Sequence, residues 1–459
     1  MMSDLRKDLA EEVFSRLPVT SLRGIRSACK KGKFLSKDRS FAKKQFAQAK
    51  AARKKKELPE KVTKMSDLPR DLEEEVLSRL PVTSLRAARS ACKKWNTLSK
   101  YGNFTKKHLA QVKTAAAKEL MVVMVMDFRV YLIDLNLHGI HKGFDPSINF
   151  QGKLVSLNDS GPVDISRVYH CDGLILCVTK DFTRFVVWNP YWGQTLWLKP
   201  RTPHKRPDWY IFAIGYQNSK SCRSHKILRF VDGLSKRVVE YEIYELNSNS
   251  WRVLDVTSEW NILFYARGVS LKGNTYWFAQ GKDGERGPVG EMVYFLICFD
   301  FTMERFGPRL RLPFQPFVED TVTLSSVREE QLAVLFQRWD THYMEIWITT
   351  KIEPEVVSWS KVFLSVDMEP LTGFQFGVTV GSFFIDEEKK VAVVFDESKD
   401  KDNAEVQTPC RNTAYFIGED GYFKEVDLGE TSEIGECVLG CSYVPSSVQI
   451  RQGGKKEKK

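Results

Sequence analysis

His138 and His141 lie three apart in LHGIHKG, a spacing that can place two imidazoles on one metal. No carboxylate or third histidine is arranged with them, and a surface loop is the better account of them. His170, Cys171 and Cys177 raise the question of a thiol nucleophile. Cys177, however, sits inside the apolar run LILCV, and a buried structural thiol is inert. Cys437 and Cys441 are four apart, with no histidine or second cysteine pair nearby to complete a zinc site. Ser270 in GVSLKG lacks the paired glycines of a nucleophile elbow. The glycines of GKDGERG, residues 281–287, suit a hairpin tip; they do not join a strand to a helix as a nucleotide fingerprint must. No catalytic, cofactor or metal constellation emerges.

The elements that would carry recognition fall into two groups. Residues 1–118 hold about 30 Lys and Arg against about 12 Asp and Glu, so their net charge is about +18. The whole chain is only +11, which leaves the remainder acidic. A basic arm can bind nucleic acid or steer onto an acidic protein. Base-stacking residues are scarce beside these cations, so a protein partner is expected and nucleic acid is not. No apolar run approaches the roughly 18 residues of a membrane span. The start, MMSDLRKDLAEEV, has no signal-peptide core. The nine cysteines form no C-x-x-C pair and read as reduced thiols. A soluble protein of the nucleus or cytoplasm is the expectation.

Within the basic part, Leu68 to Trp95 reads LPRDLEEEVLSRLPVTSLRAARSACKKW. Asp71 can cap a helix, and Glu74 stands three residues on to answer it. Leu72, Val76, Leu77 and Leu80 recur at helical spacing, and Pro81 ends the run. Thr83 or Ser84 can cap a second helix, whose stripe is Leu85, Ala88, Cys92 and Trp95. So short a stretch cannot bury both stripes alone and should dock on something.

Its letters resemble the F-box: Leu-Pro, Asp-Leu, Glu, Val-Leu, Arg-Leu-Pro, Ser-Leu, Arg, Cys-Lys and Trp at that family's spacing. The resemblance implies a small three-helix module that binds a Skp-family adaptor and, through it, the cullin and RING subunits of a ubiquitin ligase. Carried over residue by residue, Leu68, Pro69, Leu72, Val76, Leu77, Leu80, Pro81, Leu85, Cys92 and Trp95 would form the adaptor-facing surface or support it.

Residues 2–50 align with 65–113 at an offset of about 63. The first copy is degenerate. Arg6 stands where the second has Pro69, Gly32 where it has Trp95, and Gly24 where it has Ala87. The expectation is a decayed F-box at 2–50, a charged linker at 51–64 and a working F-box at 65–113.

From Leu120 the pattern changes to short β-branched and aromatic runs, about twenty of them, such as MVVMVMD, GLILCV, RFVVWN and KVAVVFD. Polar turns near Asp134, Asn189, Asn247, Asp300, Lys351 and Glu387 recur at roughly the 50-residue spacing of kelch-type blades. The fold expected is α+β multidomain, with small helical modules followed by a large all-β, kelch-like or propeller-like array of antiparallel strands.

Segments such as GLILCVTKDFTRFVVWNPYWGQTLWLKPR, YEIYELNSNSWRVLDVTSEW and MEIWITTKIEPEVVSWSKVF resemble the plant F-box-associated domain. That implies a β domain at 120–445 that recruits a protein target, with a disordered tail at 446–459. The loop PRTPHKRPDWY offers Arg201, Lys205, Arg206, Trp209 and Tyr210 as target-contacting types. The reading is a non-catalytic substrate receptor of an SCF-type ubiquitin ligase, needing no cofactor. The alternatives are a kelch-like β protein with carbohydrate-binding or enzymatic activity behind a basic arm, or a decayed family member.

Overall fold

The computed structural model describes residues 69–116 and 120–450, apart from loop stretches of which the longest are 154–162, 202–209, 232–239, 399–410 and 431–438. The chain divides into two compact units, 1–117 and 118–459. The expected first F-box copy, the linker, Leu68, His138, His141 and Cys437 lie outside the described residues.

Four helices form the described part of the first unit: α1 (Arg70–Ser78), α2 (Val82–Ala91), α3 (Lys93–Leu98) and α4 (Gly102–Ala116). Pro69, not Asp71, occupies the cap position of α1; Asp71 lies within the first turn, where its charge complements the helix dipole. Pro81 likewise precedes α2, ahead of the expected Thr83 and Ser84. The apolar stripe that runs in sequence from Leu85 to Trp95 is broken at Cys92, whose backbone is extended (φ −142°, ψ 120°). Trp95 therefore sits on a separate helix. Leu77, Val82, Leu85, Leu98 and Phe104 fill the interior.

Polar ties between helices complete this unit. The buried Glu73 carboxylate accepts from Lys94 Nζ at 2.9 Å and from Trp95 Nε1 at 3.4 Å, joining α1 to α3. Arg89 Nε donates to Ser99 Oγ at 2.9 Å. His108 of α4 stacks on Phe104, and its Nε2 lies 2.8 Å from the Leu80 carbonyl oxygen that follows α1. Lys107 Nζ reaches Glu75 Oε2 at 2.7 Å.

The second unit is a six-bladed β-propeller. Blade 1 comprises strands in 120–153 completed by Leu439–Ser442, and blade 2 spans 165–198. Blades 3 to 6 follow at 210–254, 260–306, 321–367 and 382–430. Leu439–Ser442 is the innermost strand of blade 1, paired antiparallel with Leu120–Met126 (Val122 opposite Ser442, Val125 opposite Leu439). The last described strand thus closes the ring on the first.

Six apolar clusters hold the ring, one between each pair of adjacent blades. This explains why the strands read as continuous apolar runs. In LMVVMVM, Val122 and Met124 face blade 6, whereas Val123 and Val125 face blade 2. A strand buried on both faces has no polar alternation to show.

Twenty-six strands occur among the described residues, against about twenty expected. The turns expected at Asn189, Asn247 and Asp300 do close the outer hairpins of blades 2, 3 and 4. Asp134 and Lys351 instead lie within strands, and Glu387 is in the inner hairpin of blade 6. The expected tail boundary at 446 is also displaced. Ser446 Oγ donates to the Asp172 carbonyl at 2.5 Å, Asn189 Nδ2 to Val448 O at 2.6 Å, and the Ile450 amide to Gln194 Oε1 at 2.9 Å. Ile450 is buried in the cluster between blades 2 and 3, so the ordered chain runs at least that far.

Candidate functional site

Three places could do something specific: the outer face of the helices, the loop entering blade 3, and a buried polar cluster beside blade 2. Two of the residues expected on the helical face are interior: Leu85 is fully buried and Leu77 is 1% exposed. They hold the helices together and cannot themselves touch a partner. Pro69 is exposed, and Leu72 is 43% exposed. Val76, Leu80, Pro81, Cys92 and Trp95 are half-buried. The apolar face of α1 is therefore split by its 100° steps: Leu77 points in and Leu72 points out.

Tyr101, which the sequence reading passed over, adds to this outer surface. It is 51% exposed, with the Arg70 guanidinium 5.0 Å above its ring. The signal was available, since a Tyr just beyond the motif's Trp95 has no place in either helical stripe.

In the loop entering blade 3, Tyr210 is buried, with the Arg229 guanidinium 3.6 Å from its ring centroid. It is a core residue and not a target contact, contrary to expectation. Arg201 lies on the surface, where Nη1 donates to Glu240 Oε1 at 3.1 Å. Lys205, Arg206 and Trp209 lie outside the described residues. The half-buried tryptophans of outer strands act as ties. Trp251 Nε1 donates to Lys199 O at 3.0 Å and Trp359 Nε1 to Arg311 O at 2.9 Å, each holding the connector that leads into its own blade.

The buried cluster resembles a catalytic arrangement at first inspection. Asp172 Oδ2 lies 3.1 Å from His225 Nε2, and Asp172 Oδ1 accepts from Arg223 Nη1 at 2.6 Å. Burial alone would raise the Asp172 pKa, but the hydrogen bonds from His225 and Arg223 outweigh it and hold the carboxyl below its ordinary value. His170 lies beside Glu329, and burial lowers its pKa. Burial pushes the pKa of the neighbouring Cys171 thiol well above the ordinary value. A thiol so placed stays protonated and inert. The cluster's contacts run from the inner hairpin of blade 2 to blade 3 through His225, to blade 5 through Glu329 and to the C-terminal segment through Ser446. It locks blades. Gly173 next to it has φ +75°, and a Cβ there would stand 2.7 Å from the Ser446 amide nitrogen, so the turn needs glycine.

Among the described residues, no group of three His, Cys, Asp or Glu side chains could hold a metal ion, and no helix is long and apolar enough to cross a membrane.

Comparison with known proteins bears on the two units separately. The F-box domain family matches residues 65–107, and the F-box associated beta propeller domain family matches residues 121–450. At3g17620 of Arabidopsis thaliana is 66% identical over 396 residues, covering 86% of this chain and 98% of its own length. The F-box/kelch-repeat protein At3g16740 of the same plant is 56% identical, covering 85% of this chain and all of the relative. The Arabidopsis F-box protein At3g17320 is 51% identical over 85% of this chain and all of its own length.

Proposed function

The chain belongs to the plant F-box proteins whose larger part is an F-box-associated β-propeller, and from that membership we propose that it is the substrate-recognition subunit of an SCF-type ubiquitin ligase. The helical unit grips a Skp-family adaptor and through it the cullin and RING subunits. The propeller holds a protein target. Ubiquitin transfer is then promoted by proximity, since a tethered target meets the loaded enzyme at high effective concentration. No side chain of this chain attacks the target. The place of action is the nucleus, the cytoplasm or both.

The observation that carries this reading is the split of α1. Its interior face is already satisfied by Leu77, yet Leu72 remains outside with Pro69 and Tyr101. An apolar side chain left out on a small helical unit with a filled core is what helix-in-groove binding uses.

The test is co-purification of the full chain with a Skp-family adaptor. Leu72→Asp should weaken capture at least tenfold, about 1.4 kcal/mol, with helical circular dichroism unchanged. Removing residues 1–64 should leave capture intact. If the parent chain captures no adaptor, the receptor reading is wrong; if Leu72→Asp binds as the parent does, this face is wrong.

A further inference from the structure

Four of the ten large apolar side chains that stand exposed among the described residues gather at one corner of blade 5: Phe317 (46%), Val318 (65%), Trp339 (49%) and Tyr343 (39%). The connector into blade 5 carries the first two, Trp339 lies in the turn between that blade's second and third strands, and Tyr343 opens the third strand. In an antiparallel blade, these two connections emerge on the same face of the ring.

One buried carboxylate fixes them together. Asp320 Oδ2 accepts from the Phe317 amide at 2.8 Å, and its Oδ1 from the Trp339 amide at 3.0 Å. The Arg338 guanidinium lies 5.9 Å from the Phe317 ring centroid and is itself paired to Asp340 through two hydrogen bonds of 2.9 and 3.0 Å. The Tyr343 hydroxyl accepts from Ser365 Oγ at 2.7 Å. These ties hold an apolar surface rigidly in water, although nothing in the blade needs it exposed. Trp and Tyr are the residue types that dominate binding energy when a partner covers them.

The charge around the patch gives the partner's chemistry. In the segments 317–320, 338–343 and 365–370, the exposed carboxylates are Glu319, Asp340, Asp367 and Glu369. The only opposing groups in these segments are Arg338, already paired to Asp340, and His342, whose Nδ1 meets Glu369 Oε2 at 2.5 Å. The rim is acidic. We propose that this corner is where the propeller takes its target, and that the target presents a short segment of bulky apolar residues flanked by Lys and Arg. The proposal rests on the receptor reading above and names the chemistry of the substrate. The basic flanks complement the rim and set orientation, while the apolar residues cover Trp339 and Val318.

The experiment uses the full chain and arrayed dodecapeptides carrying two Phe or Leu residues, flanked either by Lys and Arg or by Glu. The parent should retain the basic-flanked set at least tenfold better than the acidic-flanked set, with the preference falling as salt rises. Trp339→Ala combined with Val318→Asp should reduce retention at least tenfold. Asp367→Lys with Glu369→Lys should remove the charge preference while leaving the fold, followed by thermal unfolding, unchanged. Equal retention of both sets, or unchanged retention by the Trp339/Val318 variant, would overturn the assignment. Retention that rises when residues 1–64 are removed would give the site to this chain's own basic arm and overturn it as well. Adaptor capture by the Trp339/Val318 variant should equal that of the parent. Failure of the parent to capture adaptor would count against the receptor reading, whereas failure of the peptide arms counts against this corner.

Discussion

In the helical unit, Leu72 and Tyr101 stand exposed beside an interior of a few residues, Leu77, Leu85, Leu98 and Phe104. In the propeller, Val122, Val123, Met124 and Val125 are all buried, neighbours in sequence serving opposite blade interfaces. The difference follows from geometry. A four-helix assembly of this size has more apolar stripe than interior, so some of it stays outside. A ring of sheets covers both faces of its inner strands and leaves exposed apolar side chains on its outer strands and where connections emerge, as at Val253 and Trp339. Under the two proposals above, recognition uses leftover surface in the first case and a single fixed corner in the second.

The closing strand is the sharpest point at which to break this contrast, because the propeller's burial is collective. Deleting residues 439–459 should open blade 1 and abolish cooperative thermal unfolding of the β unit. Retention of a single sharp transition would show that the ring does not depend on its closure. Next in size is Leu85→Ala, which creates a cavity in an interior with few other residues to compensate. About 2–5 kcal/mol should be lost from the helical unit, seen as reduced helical circular dichroism and, as a consequence, lost adaptor capture. The Leu72 variant described above would lose capture alone. If Leu85→Ala keeps its helicity, the division between interior and outward face is misplaced.

The smallest effect concerns His108. Burial lowers its pKa from the ordinary 6.5. The unfolded chain therefore takes up the proton first as pH falls. Stability is fully present above about pH 6.5 and declines below it, until the folded histidine also protonates. Urea unfolding of the helical unit at pH 7.5 and 5.5 should show this decline, and His108→Gln should flatten it. An equal decline in that variant would assign the pH dependence elsewhere.

Much of this was legible in the letters. The F-box spacing from Leu68 to Trp95 located the helical unit, and the β-branched runs from Leu120 onward located the propeller. Local details were less so. Pro69 took the cap position because its fixed φ suits a helix start better than the side-chain cap of Asp71. Cys92 broke a stripe that looked continuous, because periodicity records apolar spacing and not backbone direction. Tyr210 looked like a hot-spot residue until Arg229 covered its ring. The Phe317 and Trp339 corner was invisible, since its two halves are twenty-two residues apart in sequence and are joined through Asp320 and the Arg338 guanidinium.

The expected degeneracy of the first copy, which lies outside the described residues, bears on these contacts through sequence alone. Glu73, Trp95 and His108 make ties between helices in the second copy. The residues aligned with them are Ala10, Gly32 and Gln45. Neither Ala10 nor Gly32 has a side chain that could make the Glu73 bridge.

The sequence by itself determined which elements form and which family they belong to, because periodicity, proline position and motif spacing act over a few residues. Only the tertiary structure decided which apolar side chains are satisfied and which are left over. Burial is a property of neighbours brought together by closure of the ring and packing of the helices, and no local pattern contains it.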